Sequence, residues 1–392
     1  MRILQIIPSI SLVYGGPSQM VLGLSAALAA KNIDVTIITT NSNGDIGQLP
    51  LDVPLNQPLE QNGYQIIYFR CSPWRRYKFS LSLLQWLNDH AHQFHLAHIH
   101  ALFSPVTTLA ATIARYHHLP YIIRPCGMLD PADLQKKKLL KQIYGTFLER
   151  PNLSGAAAIH FTSKEEAKIS ARFGLDGPDK MPRPLDLVIP LGVRAGLFSH
   201  KLRASSVPTI LFMSRIEPKK GLDLLLPALE SIWKSHIKFH FILAGSNPQD
   251  ADYETGIQLK IQNSILAQCT TITGFVSGDL KLELLTNADL FVLPSYYENF
   301  GIAVAEAMAA GVPVVISDRV HISADIQQAE AGWVGPLEVG AIAHLIKSAL
   351  LDPDERQRRG LNGREYANKH YNWEAIAQQT IDAYQHILSP IN

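Results

Sequence analysis

Residues 289–316 read DLFVLPSYYENFGIAVAEAMAAGVPVVI, a stretch that contains a complete α/β building unit and two carboxylates. The short apolar run Leu290–Leu293, closed by Pro and Ser, predicts a buried strand. An Asn-Phe-Gly turn follows, and the small residues after it predict a helix that begins near Phe300. Val312–Ile316 then predicts another strand. The segment is therefore a strand–loop–helix–strand unit, as found in α/β folds.

Two carboxylates, Glu298 and Glu306, flank the predicted helix start at a spacing of eight residues. A helix N-terminus presents unpaired backbone N–H groups and about half a positive charge. It therefore suits a phosphate or a sugar hydroxyl. Because Glu298 precedes the helix and Glu306 lies one to two turns inside it, the two side chains are placed to hold different parts of one ligand.

The composition excludes several classes of protein. A chain of 392 residues favours two or three domains, and a net charge of +1 gives no argument for a nucleic-acid partner. The three cysteines are widely spaced, which indicates a reducing compartment and no metal-type pair. No apolar run approaches the roughly 18 residues of a spanning helix. We expect a cytoplasmic protein, and this expectation is compatible with a peripheral position on the inner face of the membrane.

Apolar runs and helical patterns alternate throughout the chain, which predicts parallel sheets built from βαβ units. The predicted strands form a first series, Ile3–Ile7, Asp34–Thr39, Gln65–Phe69, Leu96–His100, Tyr121–Arg124, Ala157–Phe161 and Leu187–Ile189, and a second series, Thr209–Met213, His240–Leu243, Thr270–Thr273, Leu290–Leu293 and Val312–Ile316. Two series indicate two doubly wound domains with a boundary near residues 190–194. The tail from Asp352 onward is predicted to be helical.

Two features of the first half have both an ordinary and a functional interpretation. Gly15 and Gly16 precede a helix that is predicted to begin near Pro17, so they form either a structural turn or a close approach to a ligand. His98 and His100 share one face of a strand. They are core histidines, a metal pair that lacks a third ligand, or, for His100, a side chain that faces a ligand at the carboxyl end of the strand.

The second half contains two further candidates. Arg215 and Lys220 lie on either side of the loop after a strand, where they suit a pyrophosphate or form a solvated basic loop. The turn Gly274-Phe275-Val276 follows another strand and is either a plain strand end or a pocket for a flat base.

A basic segment over residues 134–148 predicts an amphipathic helix. Its ordinary interpretation is a solvated helix face. The alternative is contact with anionic lipid or with a lipid-linked acceptor.

Together these motifs resemble those of retaining glycosyltransferases of the GT-B fold, family 4. The most specific part of the resemblance is the E-x7-E pair Glu298 and Glu306, followed by the helix and a Gly-Val-Pro-Val-Val strand. The second part is Ser-Arg-x4-Lys-Gly from Ser214 to Gly221, and the third is the glycine pair after the first strand. The segment RPCGMLDP is similar to a family pattern PRGML, but Cys126 stands where an arginine is common.

The resemblance covers nearly the whole chain and implies an α/β architecture of two Rossmann-like, doubly wound, parallel-sheet domains that face each other across a cleft. Residues 1–192 would form the acceptor-binding domain, with a C-terminal helix of about residues 373–392 packed back on it. Residues 193–372 would bind the nucleotide-sugar donor.

The resemblance also implies roles for single residues. Glu306 would bind the ribose hydroxyls of a nucleotide sugar, and Glu298 would bind hydroxyls of the transferred sugar. Arg215 and Lys220 would neutralise the diphosphate. His100 would contact the donor sugar near its anomeric side or its primary hydroxyl. Glu298, His100, Arg215 and Lys220 are thus the expected catalytic residues, and no metal is expected.

The other implied contacts are mostly made by the backbone. On the donor side they are the glycines Gly15 and Gly16, the turn Gly274, Phe275 and Val276 beside the base, and the amides of Asn299, Phe300, Gly301 and Ile302; on the acceptor side they involve Arg124, Gly127 and Met128. The departure at Cys126 puts any acceptor role of the missing arginine in question.

The implied activity is transfer of a hexose from a nucleotide diphosphate sugar to a glycan or lipid-linked saccharide in polysaccharide biosynthesis. UDP-glucose is the first expected donor and GDP-mannose the second, and no cofactor is expected beyond this co-substrate. Three alternatives stay open: a nucleotide-sugar epimerase of the same fold, a non-catalytic sugar-nucleotide sensor, and a nicotinamide dehydrogenase. The last is disfavoured because the chain lacks G-x-G-x-x-G.

Overall fold

The structure, a computed structural model, describes residues 1–45, 48–73, 77–135, 138–170, 184–194 and 207–389. The chain divides into two compact units. The first consists of Met1–Gly192 together with Trp373–Asn392, and the second of Val193–Asn372.

The first unit contains a sheet that has eight strands within the described residues. They are β1 (Arg2–Ser9), β2 (Asp34–Thr40), β3 (Pro58–Gln61), β4 (Tyr64–Phe69), β5 (Leu96–His100), β6 (Tyr121–Arg124), β7 (Ala158–Phe161) and β8 (Leu185–Val188). Their spatial order is β3-β4-β2-β1-β5-β6-β7-β8, and only β3 runs antiparallel to its neighbour. The direction of winding reverses between β1 and β5. Ligands of open α/β sheets bind at the carboxyl ends of strands beside such a reversal.

Helices connect these strands. They are α1 (Gly16–Ala30), α2 (Leu81–His90), α3 (Pro105–Tyr116), α4 (Pro131–Leu134), α5 (Lys138–Tyr144), α6 (Arg150–Ser154) and α7 (Lys164–Ser170). A π-helical turn, Gly145–Glu149, joins α5 to α6. The single helix predicted over residues 134–148 is thus a succession of short helical pieces, and residues 136 and 137 lie outside the described residues.

The second unit is built on a parallel sheet whose described strands lie in the order β11-β10-β9-β12-β13-β14. These are β9 (Thr209–Met213), β10 (His240–Ala244), β11 (Thr270–Gly274), β12 (Leu290–Leu293), β13 (Val314–Ser317) and β14 (Gly332–Gly335). The helices are α8 (Leu222–Lys234), α9 (Ala251–Gln262), α10 (Gly278–Asn287), α11 (Ile302–Ala309), α12 (Ser323–Gln328), α13 (Val339–Leu351) and α14 (Pro353–His370). Here the winding reverses between β9 and β12, so the loops after these two strands adjoin.

The last helix, α15 (Trp373–Leu388), belongs to the first unit. The indole of Trp373 packs on Gly23 of α1 and on Gly192, since a Cβ built on either glycine would lie 2.2 Å from a ring carbon. Lys31 also approaches Glu374 to 3.9 Å. The absence of a side chain at these two glycines therefore makes room for the indole.

The two sheets, parallel except at β3, confirm the predicted α/β architecture, and all twelve predicted strands match observed ones to within two residues at either end. Two short strands were not predicted. β3 is a mostly exposed edge strand, and β14 contains two glycines in four residues, so neither carries an apolar run. The helix predicted to begin near Phe300 begins at Ile302, because Gly301 takes φ 78° and acts as its N-cap. None of the described helices is long and apolar enough to cross a membrane.

Candidate active site

Three helix starts lie at the glycines singled out in the sequence. In the described part of the chain α1, α8 and α11 have N-caps Gly15, Gly221 and Gly301, each at positive φ, and none of the three is capped by a side-chain hydrogen bond. Glycine reaches this conformation without steric cost. The N-cap residue of each helix therefore supplies no side-chain acceptor to the first N–H groups, and N–H groups at a helix start suit an anion or a hydroxyl oxygen.

Gly221 also allows the loops after β9 and β12 to touch. A Cβ at this position would lie 2.0 Å from the carbonyl oxygen of Pro294. No side chain fits at that separation. The close approach places Lys220, which precedes this glycine, beside Glu298 in the neighbouring loop.

Lys220 and Glu298 form a buried ion pair in which Lys220 Nζ donates to Glu298 Oε2. Their side chains are 8% and 17% exposed. Burial lowers the pKa of the Lys220 ammonium, and the charge of Glu298 opposes that shift. Burial also acts to raise the pKa of Glu298, but Lys220, Lys219 and Arg215 together outweigh it and hold this pKa below its usual value. Glu298 is therefore a stable hydrogen-bond acceptor rather than an acid.

The main chain holds Glu298 from both sides. Its N–H donates to the carbonyl of Arg319 at 3.2 Å, and its carbonyl accepts from His321 N–H at 3.0 Å. It forms an isolated parallel bridge with Val320. A Cβ on Gly301 would lie 3.3 Å from Glu298 Cγ, so the start of α11 packs tightly against this side chain. The position of the carboxylate is thus determined by the backbone of three segments.

Arg215, the other predicted cation, is paired as well. Its Nη2 lies 3.1 Å from Glu217 Oε1, and Lys219 Nζ lies 3.6 Å from the same oxygen. Lys219 also sits over the ring of Tyr297, 5.0 Å from its centroid. Around this loop the second unit places three cations beside two carboxylates, Glu217 and Glu298. The local excess of positive charge suits an anion.

Glu306 lies on α11 and accepts a hydrogen bond of 2.5 Å from Lys281 Nζ of α10. Burial raises the pKa of Glu306, and Lys281 and Arg194 oppose the rise. Lys281 was not predicted as a site residue. In the sequence the one indication of a role for Lys281 is that α10 follows the Gly274-Phe275-Val276 turn within a few residues. That spacing does not predict a contact between Lys281 and Glu306.

The turn after β11 leaves Phe275 exposed and Val276 buried. Gly274 has φ 69°, and nothing lies within 4 Å of a Cβ built there. The exposed ring of Phe275 thus lies at the carboxyl end of β11, and α/β sheets bind ligands at this edge. Its contact with a base stays a prediction.

In the first unit His98 and His100 are both fully buried on β5. His98 Nδ1 lies 2.8 Å from the hydroxyl of Tyr384, and its Nε2 lies 3.2 Å from His160 Nδ1. Both ring nitrogens of His98 are engaged, which argues against the metal pair. No group of three or more His, Cys, Asp or Glu suited to a metal was found among the described residues.

Three residues just beyond β5 and β6 have strained backbones. Ala101, Phe103 and Cys126 take φ of 78°, 54° and 55°. Few non-glycine residues adopt positive φ, and such conformations cluster at functional sites. They lie at the edge of the sheet that the strand order marks for ligand binding, in the same part of the fold as His100.

The three predicted acceptor-side residues line this edge. Arg124 is buried, and its Nη1 donates to the sulfur of Met20 at 2.6 Å. The N–H of Gly127 donates to Glu166 at 3.0 Å, while the sulfur of Met128 accepts from Leu102 N–H at 3.2 Å. In the structure these groups hold the loop after β6, and an acceptor contact stays a prediction.

Comparison with known protein families agrees with the architecture. The model named Glycosyl transferases group 1 matches residues 197–366, and the model named Glycosyl transferase 4-like domain matches residues 15–181. Each matched range lies entirely within one of the two units. The chain belongs to the group 1, family 4-type glycosyltransferases of the GT-B fold.

Two curated relatives illustrate the family. An uncharacterized glycosyltransferase of Methanocaldococcus jannaschii is 33% identical over 182 residues, which are 45% of this chain and 44% of the relative. The phosphatidyl-myo-inositol mannosyltransferase of Mycobacterium tuberculosis H37Rv is 31% identical over 208 residues, which are 50% of this chain and 53% of that protein. The chain spans about half the length of the curated relatives it matches.

Solved structures share the fold over nearly their whole length. Sucrose-phosphate synthase from Thermosynechococcus elongatus superposes with a TM-score of 0.78 at 22% identity, covering 99% of both chains. Anabaena HepE in complex with UDP-glucose gives a TM-score of 0.75 at 18% identity, covering 98% of this chain and 100% of that one. At these identities the likeness establishes the GT-B fold alone.

Proposed function

We propose that this protein is a retaining hexosyltransferase that moves glucose from UDP-glucose to a glycan or lipid-linked saccharide in polysaccharide biosynthesis. The observation that carries the proposal is the buried Lys220–Glu298 pair beside the uncapped start of α11. It provides a cation for a diphosphate and a carboxylate acceptor for sugar hydroxyls on adjoining loops. The solved structure of Anabaena HepE with UDP-glucose supports this choice of donor.

The proposed reaction needs charge stabilisation more than acid or base catalysis. The acceptor hydroxyl attacks the anomeric carbon from the face on which the diphosphate leaves. The bond from the anomeric carbon to the phosphate oxygen breaks as the glycosidic bond forms, and that oxygen takes the acceptor proton. Lys220, Arg215 and the N-terminus of α11 stabilise the charge that develops on the leaving nucleotide. Neither glutamate acts as a nucleophile, and no metal takes part.

The experiment is a nucleotide-release screen with UDP-, GDP- and ADP-sugars, with and without glycan and lipid-linked acceptors. We expect acceptor-dependent release of UDP from UDP-glucose, unchanged by EDTA, and a product whose anomeric configuration matches the donor. Glu298→Ala and Lys220→Ala should lose nearly all turnover. Lys234→Ala is the matched control, since Lys234 pairs with Glu230 on an exposed face of α8. Full activity in both site variants would show that the site is assigned wrongly.

Two alternatives give different outcomes in the same screen. A GDP-mannose-dependent mannosyltransferase is favoured by the likeness to the M. tuberculosis mannosyltransferase, and it would release GDP instead of UDP. An epimerase of the same fold would convert the donor without any acceptor, which NMR of the donor alone detects.

We also propose that the first unit contacts the inner face of the membrane through residues 138–148 and works as a peripheral cytoplasmic protein. Four apolar side chains there are exposed: Leu139, Ile143, Phe147 and Leu148, with Leu139 at 72% and Phe147 at 73%. The sequence adds lysines at positions 136, 137, 138 and 141. Exposed apolar side chains in a segment whose sequence is rich in lysine match an anionic lipid surface, where a lysine contributes about 1 kcal/mol.

Sedimentation with phosphatidylcholine vesicles, with and without phosphatidylglycerol, tests this contact. We expect binding only to the anionic vesicles, weakened by salt, and lost in the double variant Leu139→Ser/Phe147→Ser. Leu361→Ser is the control, because Leu361 is an exposed leucine on α14 of the other unit. Equal binding of the double variant and the wild type would refute the assignment of this surface.

A further inference from the structure

A continuous chain of hydrogen bonds crosses the buried centre of the first unit and ends at His100. It starts at the carbonyl of Ile189, which lies 2.9 Å from His160 Nε2, and passes from His160 to His98 and then to Tyr384. The Tyr384 hydroxyl accepts from Gln5 Nε2 at 3.2 Å. Gln5 Oε1 in turn lies 2.6 Å from His100 Nε2.

The carbonyl at the start fixes the proton at every step. Because a carbonyl only accepts, His160 carries its proton on Nε2, and its Nδ1 is left as an acceptor. His98 must then donate from Nε2 and accept at Nδ1, so the Tyr384 hydroxyl donates to His98. The oxygen of that hydroxyl accepts from the Gln5 amide nitrogen. The Gln5 carbonyl therefore faces His100, which donates from Nε2.

This proton order requires that the imidazoles stay neutral, and their surroundings favour that. Burial lowers the pKa of His160 to about 3, and the nearby Arg124 adds to the shift. Burial and neighbouring positive charge likewise hold the pKa of His98 and His100 well below the usual value. The five side chains that form the chain of hydrogen bonds are each at most 2% exposed.

At the end of the chain one ring nitrogen is left over. Among the described residues Nδ1 of His100 has no hydrogen-bond partner, although it is buried. The chain leaves this atom with a lone pair, so it can accept a hydrogen bond but not donate one. It lies at the carboxyl end of β5, beside the strained Ala101, where the strand order marks a ligand site.

We infer that Gln5 and Tyr384 are positioning residues that hold His100 in the Nε2–H tautomer, so that its Nδ1 accepts a hydrogen bond from a hydroxyl of the transferred sugar. The inference rests on the proposed function for the identity of the ligand. It assigns two residues that no motif marks, one on the first strand and one on the last helix. A purely structural role would use the same hydrogen bonds but would be indifferent to the tautomer of His100.

The first test is Tyr384→Phe, followed by NMR of the full-length protein labelled with 15N-histidine. The wild type should show His98, His100 and His160 as Nε2–H tautomers. Without the hydroxyl, the Gln5 amide is free to turn its nitrogen toward His100, and His100 should shift toward the Nδ1–H form. Because His100 Nδ1 would then no longer accept the hydrogen bond from the sugar hydroxyl, we expect kcat to fall about tenfold with little change in KM.

A matched control exists in the same unit. Tyr121 is also buried, and its hydroxyl donates to the carbonyl of Asn152 at 2.6 Å, away from the histidines. Tyr121→Phe should lower stability by an amount similar to that of Tyr384→Phe. It should leave the His100 spectrum and kcat unchanged. An equal loss of kcat in the control would overturn the inference.

The second test compares two substitutions of Gln5. Gln5→Met is apolar and suits a buried site, whereas Gln5→Glu keeps an oxygen that accepts from His100. We expect Gln5→Glu to retain the Nε2–H tautomer and the higher kcat, although Gln5→Met is the more stable variant. An activity order that follows stability would point to a structural role and refute the inference.

The tautomer measurement needs no substrate, so the two proposals fail separately. A wild type that releases no nucleotide would refute the proposed function while the NMR result still stands. A wild type that turns over, with an unchanged His100 tautomer in Tyr384→Phe, would refute the positioning chain alone.

Discussion

Removal of the Lys220 ammonium tests the buried pair of the second unit most directly. In Lys220→Met the carboxylate of Glu298 loses its hydrogen-bond donor in a site where its side chain is 17% exposed. Breaking a fully buried pair costs about 3–5 kcal/mol. Because Glu298 keeps some solvent contact and the charges of Lys219 and Arg215 act on it, we expect a loss of about 2–3 kcal/mol.

The assay is urea unfolding at neutral pH of a double-mutant cycle with Lys220→Met, Glu298→Gln and the double variant. Each single variant leaves a buried partner uncompensated, so the double variant should be more stable than additivity predicts by about 1–2 kcal/mol. It should not recover turnover, which separates stability from catalysis. Lys234→Met should cost less than about 0.5 kcal/mol, since its pair with Glu230 is exposed.

The pH dependence has a defined sign. The folded-state pKa of Glu298 is lowered, so its contribution to stability is present above the unfolded pKa of about 4.3 and is lost as pH falls through the folded value. The deficit of Lys220→Met should therefore shrink on acidification below about pH 4. A coupling energy indistinguishable from zero, or a deficit independent of pH, would refute the buried ion pair.

Three further predictions concern the same unit. Gly221→Ala should lower stability by at least about 2 kcal/mol and abolish turnover, because its Cβ would meet the Pro294 carbonyl at 2.0 Å, and urea unfolding measures the loss. Gly256→Ala, in the interior of α9 with nothing within 4 Å of its Cβ, should instead stabilise by up to about 1 kcal/mol in the same measurement. Glu306→Gln should gain stability relative to the wild type as pH rises above about 4.3, because the raised pKa of Glu306 in the folded protein makes its ionisation unfavourable despite Lys281. A difference in the free energy of unfolding that does not change with pH in that range would contradict this prediction.

The glycines show why part of the site was predictable from the sequence. Gly15 was noted because glycine before a helix permits a close approach to a ligand, whereas Gly221 and Gly301 were noted as parts of two loop motifs; all three take positive φ. This property is local, since it depends on one residue and its neighbours in the chain. The predicted helix starts near Pro17 and Phe300 lie within one and two residues of the observed starts of α1 and α11.

The partners of the charged residues could not be predicted in the same way. Lys220 meets Glu298, 78 residues away, and Lys281 meets Glu306, 25 residues away. No local pattern names either pair, because each contact forms only when two loops or two helices of the folded unit come together. The sequence therefore assigned a ligand role to Lys220 and none to Lys281, and the structure adds the contact that each makes with a carboxylate.

The buried histidines have one property that the sequence predicts and one that only the folded structure determines. The spacing of His98 and His100 placed both on one face of β5, which is correct, and left a metal pair open as an alternative. That alternative depends on free lone pairs, and a lone pair is a property of the whole hydrogen-bond chain. Because the carbonyl of Ile189 determines the protons from His160 onward, His98 has no free nitrogen and His100 has one. Two histidines that look equivalent in the sequence thus differ in chemistry through a residue about 90 positions away.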